Sequence, residues 1–148
     1  MTAERDRPDT MSVDGEIRSL LARVAQLADA GDIDEYISQF TDDAVWAMPA
    51  NPLMGMAAST RQGHQEILEG VRERRAGGVQ GPGTNTRHVI TTVAVEVQDD
   101  THATARSYYL FLGDTTTTPT LRTMGQYDDA FVRGERGWQL AHRTITLG

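Results

Sequence analysis

An α+β domain is the fold class this sequence predicts, and three observations carry that expectation. Through the first half of the chain, apolar residues recur at three- and four-residue steps, the period of a helix with one buried face. From residue 86 onward the pattern changes to β-branched alternation broken by short turn signals, the period of strands. The length of 148 residues suits one domain. Helices segregated from a run of antiparallel strands define the α+β class.

The elements follow in order. Residues 1–13 are polar and are expected to form a disordered arm, leaving one domain over 14–148. A long helix starts at Asp14, its N-cap, and carries Ile17, Leu20, Leu21, Val24, Leu27 and Ala28 on one stripe before stopping at Ala30-Gly31. Asp32 caps a short second helix over 33–40, with Ile33, Tyr36, Ile37 and Phe40 on one face. Thr41-Asp42-Asp43 reads as a turn and 44–48 as a short strand. The stretch 49–60, with Pro49, Pro52, Gly55, Met54 and Met56, is long and apolar; it reads as a flap over a pocket or as a surface loop whose methionines pack on the core. A third helix covers 65–75, and Gly81-Pro82-Gly83 breaks the chain. Four long strands follow as a meander over 86–97, 102–112, 121–133 and 138–147.

Composition excludes several chemistries. There is no cysteine, which removes a disulfide framework, a thiol nucleophile and Cys-ligated zinc or iron–sulfur clusters. Fourteen Lys+Arg against 21 Asp+Glu give a formal net charge of −7, the wrong sign for a nucleic-acid partner. No apolar run approaches the ~20 residues of a membrane span, and the N-terminus lacks the apolar segment of a secretory signal, so the expected location is cytoplasmic. The four histidines are scattered without metal-ligand spacing, and Gly77 to Gly83 lacks the Lys-Ser/Thr ending of a phosphate loop. Neither a metal nor a cofactor is expected.

Four segments in this order resemble the SnoaL-like branch of the nuclear-transport-factor-two-like superfamily. They are Leu27-Ala28-Asp29-Ala30-Gly31-Asp32, Phe40-Thr41-Asp42-Asp43-Ala44-Val45, Thr86-Arg87-His88, and Gly125-Gln126-Tyr127-Asp128-Asp129 with Gly137-Trp138-Gln139-Leu140-Ala141-His142-Arg143. The resemblance covers about 14–147. It implies a cone: a curved antiparallel sheet wrapped around the long first helix, with one central apolar pocket suited to a flat hydrophobic small molecule. Relatives include polyketide cyclases, steroid isomerases and scytalone and bile-acid dehydratases, and many dimerise through the sheet, so a homodimer or higher homo-oligomer is expected. The fold also hosts plain binders and accessory subunits.

Candidate site residues follow from pattern and resemblance together. His88 shares a strand face with Ile90 and Thr92. In the resembling dehydratases a histidine here moves a proton in the pocket, and imidazole both accepts and donates near neutrality. The alternative is an inert strand-end histidine. Asp29 lies on the side of Leu21 and Ala25; the resemblance places an acid here beside that histidine, where it would fix the tautomer. In those relatives a tyrosine stands five residues before the acid. Here that position is Val24, which cannot polarise a carbonyl, and a second reading, ligand binding without catalysis, follows. Tyr109 is the replacement hydroxyl, on a face with the small residues Ser107, Ala105 and Ala103. Tyr36, Trp46, Met48 and Met124 are candidate lining residues, with core packing as the alternative for each; His142, which alternates with Leu140 and Trp138, is a further lining residue near the mouth and a second acid/base candidate. Asp129 and Arg143 read as a structural ion pair across adjacent strands. His64 and His102 read as exposed. Epoxide opening ranks low, because Ala105-Arg106-Ser107 lacks the flanking acid that chemistry wants.

Overall fold

The computed structural model describes residues 12–148. Apart from Ser12 and Val13, the expected arm lies outside the described residues. Three helices, α1 (Val13–Ala30), α2 (Ile33–Ser38) and α3 (Gly63–Ala76), pack on one six-stranded sheet. Its strands are β1 (Phe40–Met48), β2 (Ser59–Gln62), β3 (Arg87–Val97), β4 (His102–Gly113), β5 (Thr120–Gly134) and β6 (Gly137–Leu147), in the spatial order β2-β1-β6-β5-β4-β3.

The sheet is curved, unclosed and mixed, so the α+β expectation holds with two corrections. β1 runs parallel to β6, not antiparallel, and β2 is a strand the reading lacked. A parallel pair joins segments far apart in sequence, so no local turn signal announces it. Thr41 to Asp43 form a bulged part of β1, whose register shifts between Phe40 and Val45, not a turn.

The N-cap of the first helix lies two residues earlier than expected. Ser12, not Asp14, is the N-cap of α1: its hydroxyl accepts from the Gly15 amide at 3.2 Å, while Asp14 in the first turn pairs with Arg18. Ile17, Leu20, Leu21, Val24 and Ala28 form the buried stripe. At the far end Gly31 is required by crowding, since a β-carbon there would lie 2.7 Å from the Leu27 Cα. The last turn of α1 has no basic residue of its own. Arg75 of α3 supplies the charge, donating to the Leu27 and Gly31 carbonyls at 2.9 Å each. This contact anchors the end of α1 that carries Asp29.

Bulges set which side chains face inward. On β3, Thr92 takes φ 53° and the pairing with β4 shifts between Thr91 and Ala94. His88 and Ile90 point inward before the bulge, and Val93 and Val95 pack on the core after it. On β6 the partner of Ala130 is His142 and that of Phe131 is Leu140, so Ala141 is the extra residue. Trp138 and Leu140 are buried before it, Arg143 after it.

Candidate functional site

The inner face of the sheet, α1 and the segment after β1 enclose a cavity of about 750 Å³ between atoms, its open mouth included. Val24, Ala25 and Ala28 of α1 form one wall; Trp46 and Met48 come from β1, and His88, Tyr109, Phe111 and Tyr127 from the long strands. Pro49, Asn51, Met54 and Met56 line it from the segment over 49–60. That segment is folded on itself: the Asn51 and Met56 backbones exchange hydrogen bonds of 2.8 and 3.0 Å around a single 3-10 turn, Pro52–Met54. Leu53 at its tip is 92% exposed.

His88 opens β3 beside the last turn of α1. Its Nδ1 donates to Asp29 Oδ1 at 2.6 Å, and its backbone N–H donates to Asp29 Oδ2 at 3.0 Å. One carboxylate therefore fixes both the strand start and the ring. A carboxylate only accepts, so Nδ1 carries the proton, and in the neutral ring Nε2 keeps its lone pair. The two side chains are 13% and 12% exposed, sheltered but in reach of the cavity.

Behind the imidazole stands an aromatic row. Phe111 lies 4.7 Å from His88 between ring centroids, Tyr109 lies 6.4 Å away, and Tyr109 stacks on Tyr127 at 4.5 Å. Tyr109 shares its buried face with Ser107, Ala105 and Ala103, as the alternation predicts. Burial pushes its hydroxyl pKa up, against a hydrogen bond with Thr123 and the Arg143 charge, so it stays a donor at neutral pH. Gly125 on β5 gives the ring its place: a β-carbon there would sit 2.7 Å from the Tyr109 hydroxyl and would also strike the Thr146 carbonyl oxygen.

At the other side of Tyr127 lies the cross-strand pair. Arg143 donates to Asp129 through Nε at 2.8 Å and a terminal nitrogen at 2.9 Å, and its Cζ sits 3.8 Å above the Tyr127 ring. Burial opposes the guanidinium charge, but the adjacent carboxylate outweighs it, so Arg143 is held more firmly protonated than usual.

Val24, Tyr36, Trp46, Met48, His88 and Tyr109 thus line one cavity, and Asp29 sits behind His88. Two expected lining residues do not. Met124 is 42% exposed on the outer sheet face; Thr123 takes the inward position because inward residues on β5 are Thr123, Gly125, Tyr127 and Asp129. His142 is exposed on the outer face, in a shallow depression with Glu96 and Asp128, because the Ala141 bulge turns Arg143 inward instead. His64 also departs from expectation: it is half-buried, with Nε2 2.9 Å from the Phe40 carbonyl. His102 is exposed beside Asp99, as expected.

Sequence reasoning missed Arg74, Tyr127 and Gln80 as lining residues. Arg74 had a legible signal. Ile67, Val71 and Arg74 stand at i, i+4 and i+7 on α3, so a cation occupies the apolar stripe.

Among the described residues no group of His, Asp or Glu could hold a metal ion, and no helix is long and apolar enough to cross a membrane.

Comparison with known proteins supports the same architecture. No protein of curated function matches the chain. Among solved structures, an NTF2-like protein with a cystatin-like fold from Novosphingobium aromaticivorans is similar at 24% identity and TM-score 0.72, over 89% of this chain and 79% of that one. A scytalone-dehydratase-like protein from the same organism has 16% identity and TM-score 0.67, over 89% and 81%. A protein of Catenulispora acidiphila solved in complex with S-DNPA has 24% identity and TM-score 0.71, over 91% and 92%. At these identities the likeness speaks for the fold alone. The SnoaL-like domain family matches residues 9–144, and this match, on the six-stranded sheet and cavity above, makes the chain a member of the SnoaL-like family.

Proposed function

We propose that this protein transfers a proton on a flat, hydrophobic carbonyl compound, in the manner of a cyclase, dehydratase or isomerase. One observation carries the reading: the 2.6 Å contact between His88 Nδ1 and Asp29 at the edge of an apolar cavity. His88 Nε2 removes a proton from the carbon next to the substrate carbonyl. The imidazolium that forms is stabilised by the Asp29 carboxylate. The electron pair moves onto the carbonyl oxygen as an enolate, which accepts a hydrogen bond from the Tyr109 hydroxyl. Nε2–H then returns the proton: to another carbon in an isomerisation, to the alkoxide oxygen formed when the enolate carbon attacks a second carbonyl of the same molecule in a cyclisation, or to a departing hydroxyl in a dehydration.

The test is proton exchange on 2-tetralone in D₂O, followed by NMR. The wild type is expected to accelerate loss of the carbonyl-adjacent protons. His88→Ala, with an unchanged circular dichroism spectrum, is expected to lower that acceleration by roughly 10²–10⁴-fold. Equal exchange in the variant would refute proton transfer by His88. A second reading, a binding protein, is favoured by Val24, an inert side chain in the cavity wall where the resembling dehydratases carry a tyrosine. Saturable binding of 2-tetralone without accelerated exchange would support it.

A further inference from the structure

The wall of the cavity holds a cation without an ion-pair partner among the described residues. Arg74 lines the cavity from α3, its Cζ 4.6 Å above the Trp46 ring. Among the described residues its side chain makes no hydrogen bond and no ion pair. Its neighbours are differently occupied. Arg61 pairs with Glu73 at 2.7 Å, so the carboxylate whose charge acts on Arg74 already has a cation of its own. Arg75 caps α1, and Arg143 is held by Asp129.

The surroundings also disfavour the charge. Burial, followed by the nearby Arg61, lowers the Arg74 pKa, although Tyr36, Tyr127 and Glu73 act in the other direction. The charged groups lining the cavity are Arg74 and Arg143; His88, Tyr36, Tyr109 and Tyr127 are its other titratable side chains, and no Asp or Glu side chain joins them. A chain of net charge −7 has thus kept carboxylates off this wall. A partly buried guanidinium without a counter-ion is disfavoured, and a ligand that brings the counter-charge offsets the cost.

We propose that the cavity takes an anionic ligand, a flat apolar skeleton bearing a carboxylate, and that Arg74 is its counter-ion. The planar guanidinium fork matches a carboxylate in two parallel hydrogen bonds. Trp46 beneath the fork holds it flat, and Tyr36, Val24 and the methionines supply apolar surface for the skeleton. This inference rests on the cavity being the ligand site, as proposed above, and is independent of whether a proton is moved there.

The experiment compares 2-naphthoate with its neutral isostere 2-naphthamide by calorimetric titration of the whole chain. Wild type is expected to bind naphthoate roughly tenfold or more tightly than naphthamide. Arg74→Gln is expected to abolish the preference while naphthamide affinity stays within about twofold, and Arg74→Lys, which keeps the charge but not the fork, to retain part of it. Absence of naphthoate binding, absence of a preference in the wild type, or a preference that survives Arg74→Gln would each overturn the proposal. So would a parallel collapse of naphthamide binding in both variants, which would make Arg74 a support of the cavity shape. Accelerated 2-tetralone exchange without a naphthoate preference would sink this inference alone; the preference without exchange would sink proton transfer alone.

Discussion

Two carboxylates serve the cavity, and they do opposite things. Asp129 meets a guanidinium through both oxygens, buried, with Tyr127 covering the face of the fork. The pair closes on itself and leaves little for a ligand to exploit. Asp29 meets an imidazole through one oxygen and a backbone amide through the other, and the second ring nitrogen has no partner among the described residues. The lesson is one of valence. A fork matched to a carboxylate has its charge balanced and one edge of its donors occupied, whereas a two-nitrogen ring held by one carboxylate keeps one nitrogen for chemistry. Arg74 is the third case, a fork with no carboxylate, and so the place where a ligand can supply one.

The contrast can be broken from either side. Asp129→Ala is expected to have the largest effect, a loss of about 3–5 kcal/mol of stability, because it strands Arg143 as a buried charge; urea unfolding measures it, and a loss under about 1 kcal/mol would mean that water already reaches the pair. The same substitution at Asp29 is expected to cost less, about 1.5–3 kcal/mol, since it removes a charged acceptor from His88 but strands no obligatory cation. If the two alanine variants prove equally destabilised in parallel melts, the distinction between a closed pair and an open dyad fails. Tyr109→Phe sharpens the comparison from the middle, since that ring lies between His88 and the Tyr127–Arg143 stack. It is expected to cost only about 0.5–1.5 kcal/mol of stability, while slowing 2-tetralone exchange if the hydroxyl steadies the enolate. Unchanged exchange would remove Tyr109 from the mechanism.

Much of this arrangement was legible beforehand, but unevenly. The stripe on α1 and the inward set Ala103, Ala105, Ser107 and Tyr109 follow from regular periodicity and are found as read, and Asp129 pairs with Arg143 across adjacent strands as expected. The pairing of Asp29 with His88, residues 59 positions apart, was readable only through resemblance to a family. His142 and Met124 were misplaced for different reasons. The Ala141 bulge inverts the alternation on β6, and no local residue type marks it. Met124 is simply apolar on an outward position, where its type misleads.

What the sequence determined by itself was the order and kind of the long elements, the lack of thiol chemistry and the residue types available for proton transfer. Those depend on local period and composition, which are written along the chain. Tertiary structure alone decided the parallel contact of β1 with β6, the side taken by each strand after its bulge, and the arrival of Arg74 over Trp46 without a counter-ion. Each of these is a meeting of distant segments, whose outcome rests on how the whole sheet curves over α1 and not on any neighbouring residue.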